Sequence, residues 1–278
     1  EDVIANGGFS LIPDFANLWP AASVDDYVGE DNSETVFAIK YTFTSDYDGN
    51  TDGNHWLVMN GIRVQTLPPY GQGWGANTVN PDLWNAYSAN DTRREATIIS
   101  IAGENLDFKN KADQREYTGY YTKKYTPMAD EAGRSLAEKM GGVNFMIGQF
   151  QDYVSIRYAD VLLMGAELGS ANAQQHFDAV RRRAYGANFT PLAVTQEAIM
   201  AERRLEFAGE GIRYWDLLRQ GIDKAAGAIA ETTTVQNGGV NVTKTITAAK
   251  VRETKGLAQI PYTQITLSDG VLKQNAGW

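Results

Sequence analysis

The chain has 278 residues, with 25 basic against 34 acidic and a formal charge of −9, and 43% of it is hydrophobic. That supplies a core for one large or two small domains, is too apolar for a disordered chain, and offers no broad basic footprint for nucleic acid. Cysteine is absent and only His55 and His176 carry imidazoles, which excludes disulfide scaffolds, thiolate zinc sites and cysteine nucleophiles and leaves a histidine metal site or catalytic triad little to draw on.

Residues 1–6 read as the last turn of a helix stopped by Gly7 and Gly8. They lack the basic and apolar stretches of a signal peptide, and we expect further chain upstream. Residues 34–43 set Val36, Ala38, Lys40 and Thr42 against Phe37, Ile39, Tyr41 and Phe43, a strand with one aromatic face. Residues 60–75, with Pro68-Pro69 and repeated glycines, are a loop. A short helix is expected over 81–89 and a short strand over 98–101. From Ile156 the pattern turns helical. One helix runs over 156–168 to Gly169 and a second over 171–185 to Gly186, an αα-hairpin of the kind found in tetratricopeptide arrays. Thr195 caps a third helix in which Ala201, Leu205, Ala208, Ile212 and Trp215 form one buried stripe, bent or broken by Gly209 and Gly211. Residues 231–250 are a loop or exposed hairpin. Texture thus divides the chain into a loop- and aromatic-rich part, 1–145, and a helical part, 146–278. No run approaches the roughly 18 apolar residues of a membrane span.

Two long motifs stand out. Residues 157–164 read RYADVLLM and residues 202–219 read ERRLEFAGEGIRYWDLLR, with AVRRRA at 179–184 between them and LKQNAGW closing the chain at 272–278. In this order and spacing the motifs resemble those of the SusD/RagB family, with Ala276 where the family usually has proline and no glutamate in residues 263–265. The resemblance implies a mainly α fold, tetratricopeptide-like αα-hairpins packed against a loop-rich region with few short strands. It also implies a surface-exposed outer-membrane lipoprotein of Bacteroidetes-type bacteria that captures an oligosaccharide and delivers it to a SusC-like TonB-dependent transporter, without catalysis or a required cofactor. Only the C-terminal part of the family is matched, so its N-terminal helical repeats and lipid anchor are expected to lie upstream.

The 202–219 cluster looks catalytic, but Arg203 with Glu206 and Glu210 with Arg213 are spaced to pair along a helix. A salt-bridge network clamping that helix to the 157–160 turn is the expected reading. Glycoside hydrolysis needs two carboxylates at a fixed separation, and no acid here sits in a hydrolase motif. Sugar capture needs aromatic faces for the C–H surface of a pyranose and amides for its hydroxyls. Trp56, Tyr70, Gln72, Trp74, Asn77 and Trp84 supply both, with Trp56 and Tyr70 expected to be exposed and Trp74 equally readable as a core plug. Trp19, Trp215 and Trp278 are expected to pack inside. Tyr117, Tyr120 and Tyr121 beside Lys123 and Lys124 form a second candidate surface for ligand or transporter. Asp48, Asn50 and Asp52, followed by Gly53, match half of a calcium loop. Its twelfth position is Met59, and a hydrated turn explains the same residues. Asp216 is a weaker cation candidate. A peptide-binding member of the family and, from another class, a glycoside hydrolase are the competing readings.

Overall fold

A computed structural model gives the fold over residues 1–42, 53–142 and 144–278. The described chain divides into a larger unit, Glu1–Glu210 with Gln236–Val240, and a smaller one, Gly211–Val235 with Asn241–Trp278.

The larger unit opens with α1 (Asp2–Asn6), then β1 (Thr35–Ile39), α2 (His55–Asn60) and the two-residue strands β2 (Ile62–Arg63) and β3 (Gln72–Gly73). Next come α3 (Pro81–Ala86), α4 (Arg93–Thr97), β4 (Ile98–Ser100), β5 (Tyr120–Thr122) and α5 (Leu136–Lys139). It ends with β6 (Tyr153–Arg157), α6 (Tyr158–Glu167), α7 (Ala173–Tyr185) and α8 (Gln196–Glu206). β1 pairs antiparallel with β6, β2 parallel with β3, and β4 antiparallel with β5. The smaller unit holds α9 (Arg213–Leu218), α10 (Ile222–Ile229), most of the exposed hairpin β7 (Glu231–Asn237) and β8 (Val240–Ile246), α11 (Ala248–Thr254) and α12 (Tyr262–Leu267). Helix dominates and every sheet among the described residues has two strands, the mainly α architecture expected.

The αα-hairpin forms because its signals are local. Gly169 and Gly186 take the left-handed φ of +68° and +50° that ends each helix. Ala159, Leu162, Leu163 and Ala166 of α6 are buried, as are Phe177, Val180 and Ala184 of α7, so the two apolar stripes close on each other. Thr195 caps α8, its hydroxyl accepting from Ala198 N at 3.1 Å.

Several expectations change. Ile156 and Arg157 belong to the strand Tyr153–Arg157 and not to the helix expected from 156, because that segment pairs with β1. The faces of β1 alternate as expected, and the one that carries Phe37 and Ile39, 56% and 46% exposed, is turned outward. The helix breaks near the glycines as expected, with α8 ending at Glu206 and Gly209 and Gly211 at φ near +80°, but Ala201 and Trp215 are exposed and the buried face of α8 is Ile199, Met200, Glu202, Arg203 and Glu206. Trp215 and Trp278 are 66% and 55% exposed, while Trp19 is buried as expected. Tyr121, Lys123 and Lys124 are buried too, so the second aromatic candidate is core at those positions.

The charged motif forms a buried network with partners far along the chain, not the expected i,i+3 pairs. Arg157 spends all five N–H groups: Nε on Glu210, Nη1 on Glu34 at 2.6 Å and Glu206 at 2.9 Å, Nη2 on Glu210 and the Glu206 carbonyl. Arg93, fully buried, grips Asp91 with two bonds and reaches Glu202 at 2.5 Å and Glu206 at 3.0 Å. Arg183 joins Glu34 to Glu206, and Lys124 donates to Glu210 at 2.6 Å. Arg203 pairs instead with Asp160 at 2.5 Å, the clamp onto the 157–160 turn. Phe15, Trp19 and Phe207 wall the cluster, their rings within 6 Å of its cations.

Burial by itself would raise the Glu206 and Glu210 carboxyls, but Arg183, Arg157 and Arg93 around the first and Arg157 and Lys124 around the second hold both below the ordinary 4.5. Burial pulls the Lys124 ammonium down to about 8 against the attraction of Glu210. A depressed carboxyl contributes stability that is present above its unfolded value and lost as pH falls through the folded one. The melting temperature, followed by circular dichroism, is therefore expected to fall steeply once pH drops below about 4.5. A profile flat down to pH 3 would mean that the network contributes nothing to stability.

Candidate functional site

Helix α2 is short and has to be held at both ends. Asn54 caps it, the side-chain oxygen accepting from Trp56 N at 3.0 Å while its amide donates to the Gln151 carbonyl at 2.7 Å. At the other end, the last carbonyls of a helix lack partners within it. Here the loop after β3 supplies them: Trp74 N donates to Val58 O at 2.7 Å, Ala76 N to Met59 O and Gly75 N to Gly61 O, both at 2.9 Å. This seating needs glycine on both sides. A Cβ on Gly73 would lie 2.5 Å from Gly61 Cα and from Val58 O, and one on Gly61 would lie 2.8 Å from Gly73 Cα.

The seated loop collects half of the predicted ligand residues. The half-buried Trp74 ring stands 5.9 Å from the His55 ring, and its carbonyl accepts from Arg63 Nη1 at 2.9 Å. Asn77 is exposed and donates at 2.8 Å to Asn60, whose own amide nitrogen is buried without a partner among the described residues. Gln72 lies half-buried in β3, two residues from Trp74. Gln72, Trp74 and Asn77 thus share one segment on α2, joined by His55 and Asn60. An indole, an imidazole and several amides are what a pyranose asks of a protein.

The other three residues lie elsewhere. Trp56 turns toward the core cluster of Leu57, Trp19 and Tyr125, edge-on to Tyr153 at 6.2 Å, with its indole nitrogen buried. Tyr70 is 3% exposed, against expectation, because residues on both sides are tied down: it bridges to Met128, and Gly71 N donates to Pro127 O. Its hydroxyl donates to Glu104 at 2.5 Å, and burial together with that carboxylate raises it above the ordinary tyrosine value. Trp84 stacks on Tyr120 at 5.1 Å and carries the Arg94 guanidinium at 4.6 Å, so its ring is already engaged. Trp84 packs in the cluster of Val79, Tyr87 and Ile98.

Asp48, Asn50 and Asp52, the calcium candidates, lie outside the described residues. Among the described residues no group of three or more His, Asp or Glu is placed to hold a metal ion, and Asp216 is buried and paired with Arg219 at 3.0 Å. Sequence reasoning misses Tyr153 and Arg93 as contributors. The role of Arg93 is not legible in the sequence, because its partners on α8 are 109 and 113 positions away. His55 carries no sequence signal beyond its place next to Trp56.

SusD-like protein P2 of Formosa agariphila is 25% identical over 240 residues, 75% of this chain and 43% of that protein. The surface glycan-binding protein A from Bacteroides thetaiotaomicron in complex with laminarihexaose matches with a TM-score of 0.73 at 25% identity, over 99% of this chain and 57% of that one. A laminarin binding SusD-like protein matches at 0.72 and 29% identity, over 98% of this chain and 55% of that one. The chain therefore spans about half the length of these relatives. The description of the SusD family matches residues 102–278, a stretch that contains both long motifs, the αα-hairpin and the tail, and the chain belongs to that family.

Proposed function

We propose that the chain takes part in the capture of an oligosaccharide at the bacterial outer-membrane surface and its delivery to a SusC-like TonB-dependent transporter, with no covalent step. One observation carries this reading: a relative solved with laminarihexaose matches the chain over nearly its whole length. The Trp74 segment supports it, because it presents an aromatic ring and amides on a backbone fixed by four hydrogen bonds, three onto α2 or Gly61 and one from Arg63. Such preorganisation limits the entropy lost on binding. Residues 1–145 are then the ligand-holding part and 146–278 its scaffold. Contact falls to Trp74, Gln72, Asn77 and His55, while Trp56 and Tyr70 hold the backbone beneath them.

Calorimetry with laminarihexaose, combined with product analysis, tests the reading. Binding without turnover is expected, weakened about tenfold or more in Trp74→Ala, since stacking on a ring is worth roughly 1–2 kcal/mol. Tyr70→Phe should leave affinity unchanged. Turnover of the sugar would favour a hydrolase. If the chain takes up no laminari-, malto- or xylo-oligosaccharide, the reading fails.

A further inference from the structure

Arg63 sits in β2, opposite Gly73 in the parallel pair with β3. The chain then passes close over its stem, since a Cβ on Gly75 would lie 2.6 Å from Arg63 Cβ. From there the half-buried guanidinium reaches two segments at once. Nη1 donates to the Trp74 carbonyl at 2.9 Å and Nε to the Asp113 carbonyl at 2.8 Å. Both acceptors are neutral, so charge pairing does not account for an arginine here. A rigid planar fork does, because it meets two separated acceptors where the single ammonium of a lysine meets one.

The far end of this strut is itself fixed. Gln114 is 1% exposed, and its amide nitrogen donates to the Arg63 carbonyl at 2.9 Å and to the Asn110 carbonyl at 2.8 Å. Its side-chain oxygen accepts from the Tyr121 hydroxyl at 2.5 Å. Tyr121 lies in β5, wholly buried in a cluster with Ile62 and Ile99. Hydrogen bonds thus run from the core through Gln114 and Arg63 to Trp74.

The bonds onto α2 and Gly61 engage only the N–H groups of Trp74, Gly75 and Ala76. Arg63 engages the carbonyl of the residue that bears the indole, so the peptide plane between Trp74 and Gly75 is held at both its C=O and its N–H. Gly75 stands at φ +58°, and a glycine lets such a plane turn unless both groups are tied. We infer that Arg63 is a positioning residue of the ligand segment: through Asp113 and Gln114 it anchors the Trp74 carbonyl to the core and sets the angle at which the indole is presented. Its effect on affinity rests on the capture reading, whereas its hold on the backbone is read without a ligand.

Arg63→Met keeps the apolar stem and removes every N–H, and Arg63→Lys keeps the charge. In Arg63→Met, amide exchange at residues 74–76 is expected to quicken about tenfold, because a bond from a charged donor is lost locally. Exchange in α7 and the melting temperature should stay as in the parent chain. Affinity for laminarihexaose, by calorimetry, is expected to fall about fivefold to tenfold, since an indole free to reorient must be ordered on binding. Arg63→Lys should lie between the parent and Arg63→Met in both readouts. Unchanged exchange at 74–76 overturns the positioning role, and an affinity loss without it would make Arg63 a ligand contact instead. Exchange quickened throughout the larger unit would make Arg63 a general stabiliser and overturns the role as well. If exchange quickens only at 74–76 while the parent takes up no laminari-, malto- or xylo-oligosaccharide, the capture reading fails and the positioning role stands.

Discussion

Arg157→Ala is expected to destabilise the larger unit by about 3–5 kcal/mol, the cost of removing one partner from a buried ion cluster. The loss is large because three carboxylates depend on that side chain. Without it, Glu34 retains Arg183, Glu210 retains Lys124, and Glu206 retains Arg93 and Arg183, but each loses a donor in a space that water does not reach. Against a typical total of 5–15 kcal/mol, this brings the unit close to unfolding at room temperature. Urea titration followed by circular dichroism measures it. Lys109→Ala is the control, since its ion pair with Asp107 is exposed on both sides and is expected to contribute less than about 1 kcal/mol. A loss below 1 kcal/mol in Arg157→Ala would mean that the network is dispensable.

Gly73→Ala should have the second large effect, and for a purely steric reason. The new Cβ would meet backbone at 2.5 Å on two atoms, and backbone cannot turn aside as a side chain can. The loop has to lift from α2, breaking the bonds of Trp74, Gly75 and Ala76 to Val58, Gly61 and Met59. We expect a cost of about 1–3 kcal/mol or more. Early amide exchange at residues 74–76 should accompany it, with loss of oligosaccharide binding even though every contact residue is intact. Gly119→Ala separates crowding from backbone strain. Gly119 sits at φ +90°, and a Cβ there would meet nothing within 4 Å, so its cost is conformational alone, about 1–2 kcal/mol, and binding should survive. Retained protection and affinity in Gly73→Ala would show that the seated loop is not what organises the site.

The helical half is legible in the sequence because its determinants are local. Thr195, Gly169 and Gly186 mark helix ends within a few residues of the periodicity they interrupt. The stripe through Trp215 fails because apolar spacing runs on across Gly209, whereas the face that α8 buries includes Glu202, Arg203 and Glu206, which a hydrophobic pattern discounts. The clamp of Arg203 on Asp160 is legible as a pairing of two motifs, but Arg93 is not, since nothing near Asp91 announces a partner on α8. At the site, composition points to the right segment for Gln72, Trp74 and Asn77. Whether a tyrosine in a proline- and glycine-rich loop lies in or out depends on which strand runs past it. For Tyr70 that neighbour is Met128, 58 residues on, and the tyrosine lies in.

The pairing of Glu34 with Arg157 and Arg183 also bears on how the chain is made. A ribosome releases Glu34 long before its partners, which follow 123 and 149 positions later. At about 5–20 residues per second, that interval lasts on the order of 6–30 s. Throughout it β1 has no β6, and a carboxylate destined for the interior remains in water. The nascent chain therefore cannot lock residues 1–40 against their final partners until α7 has emerged.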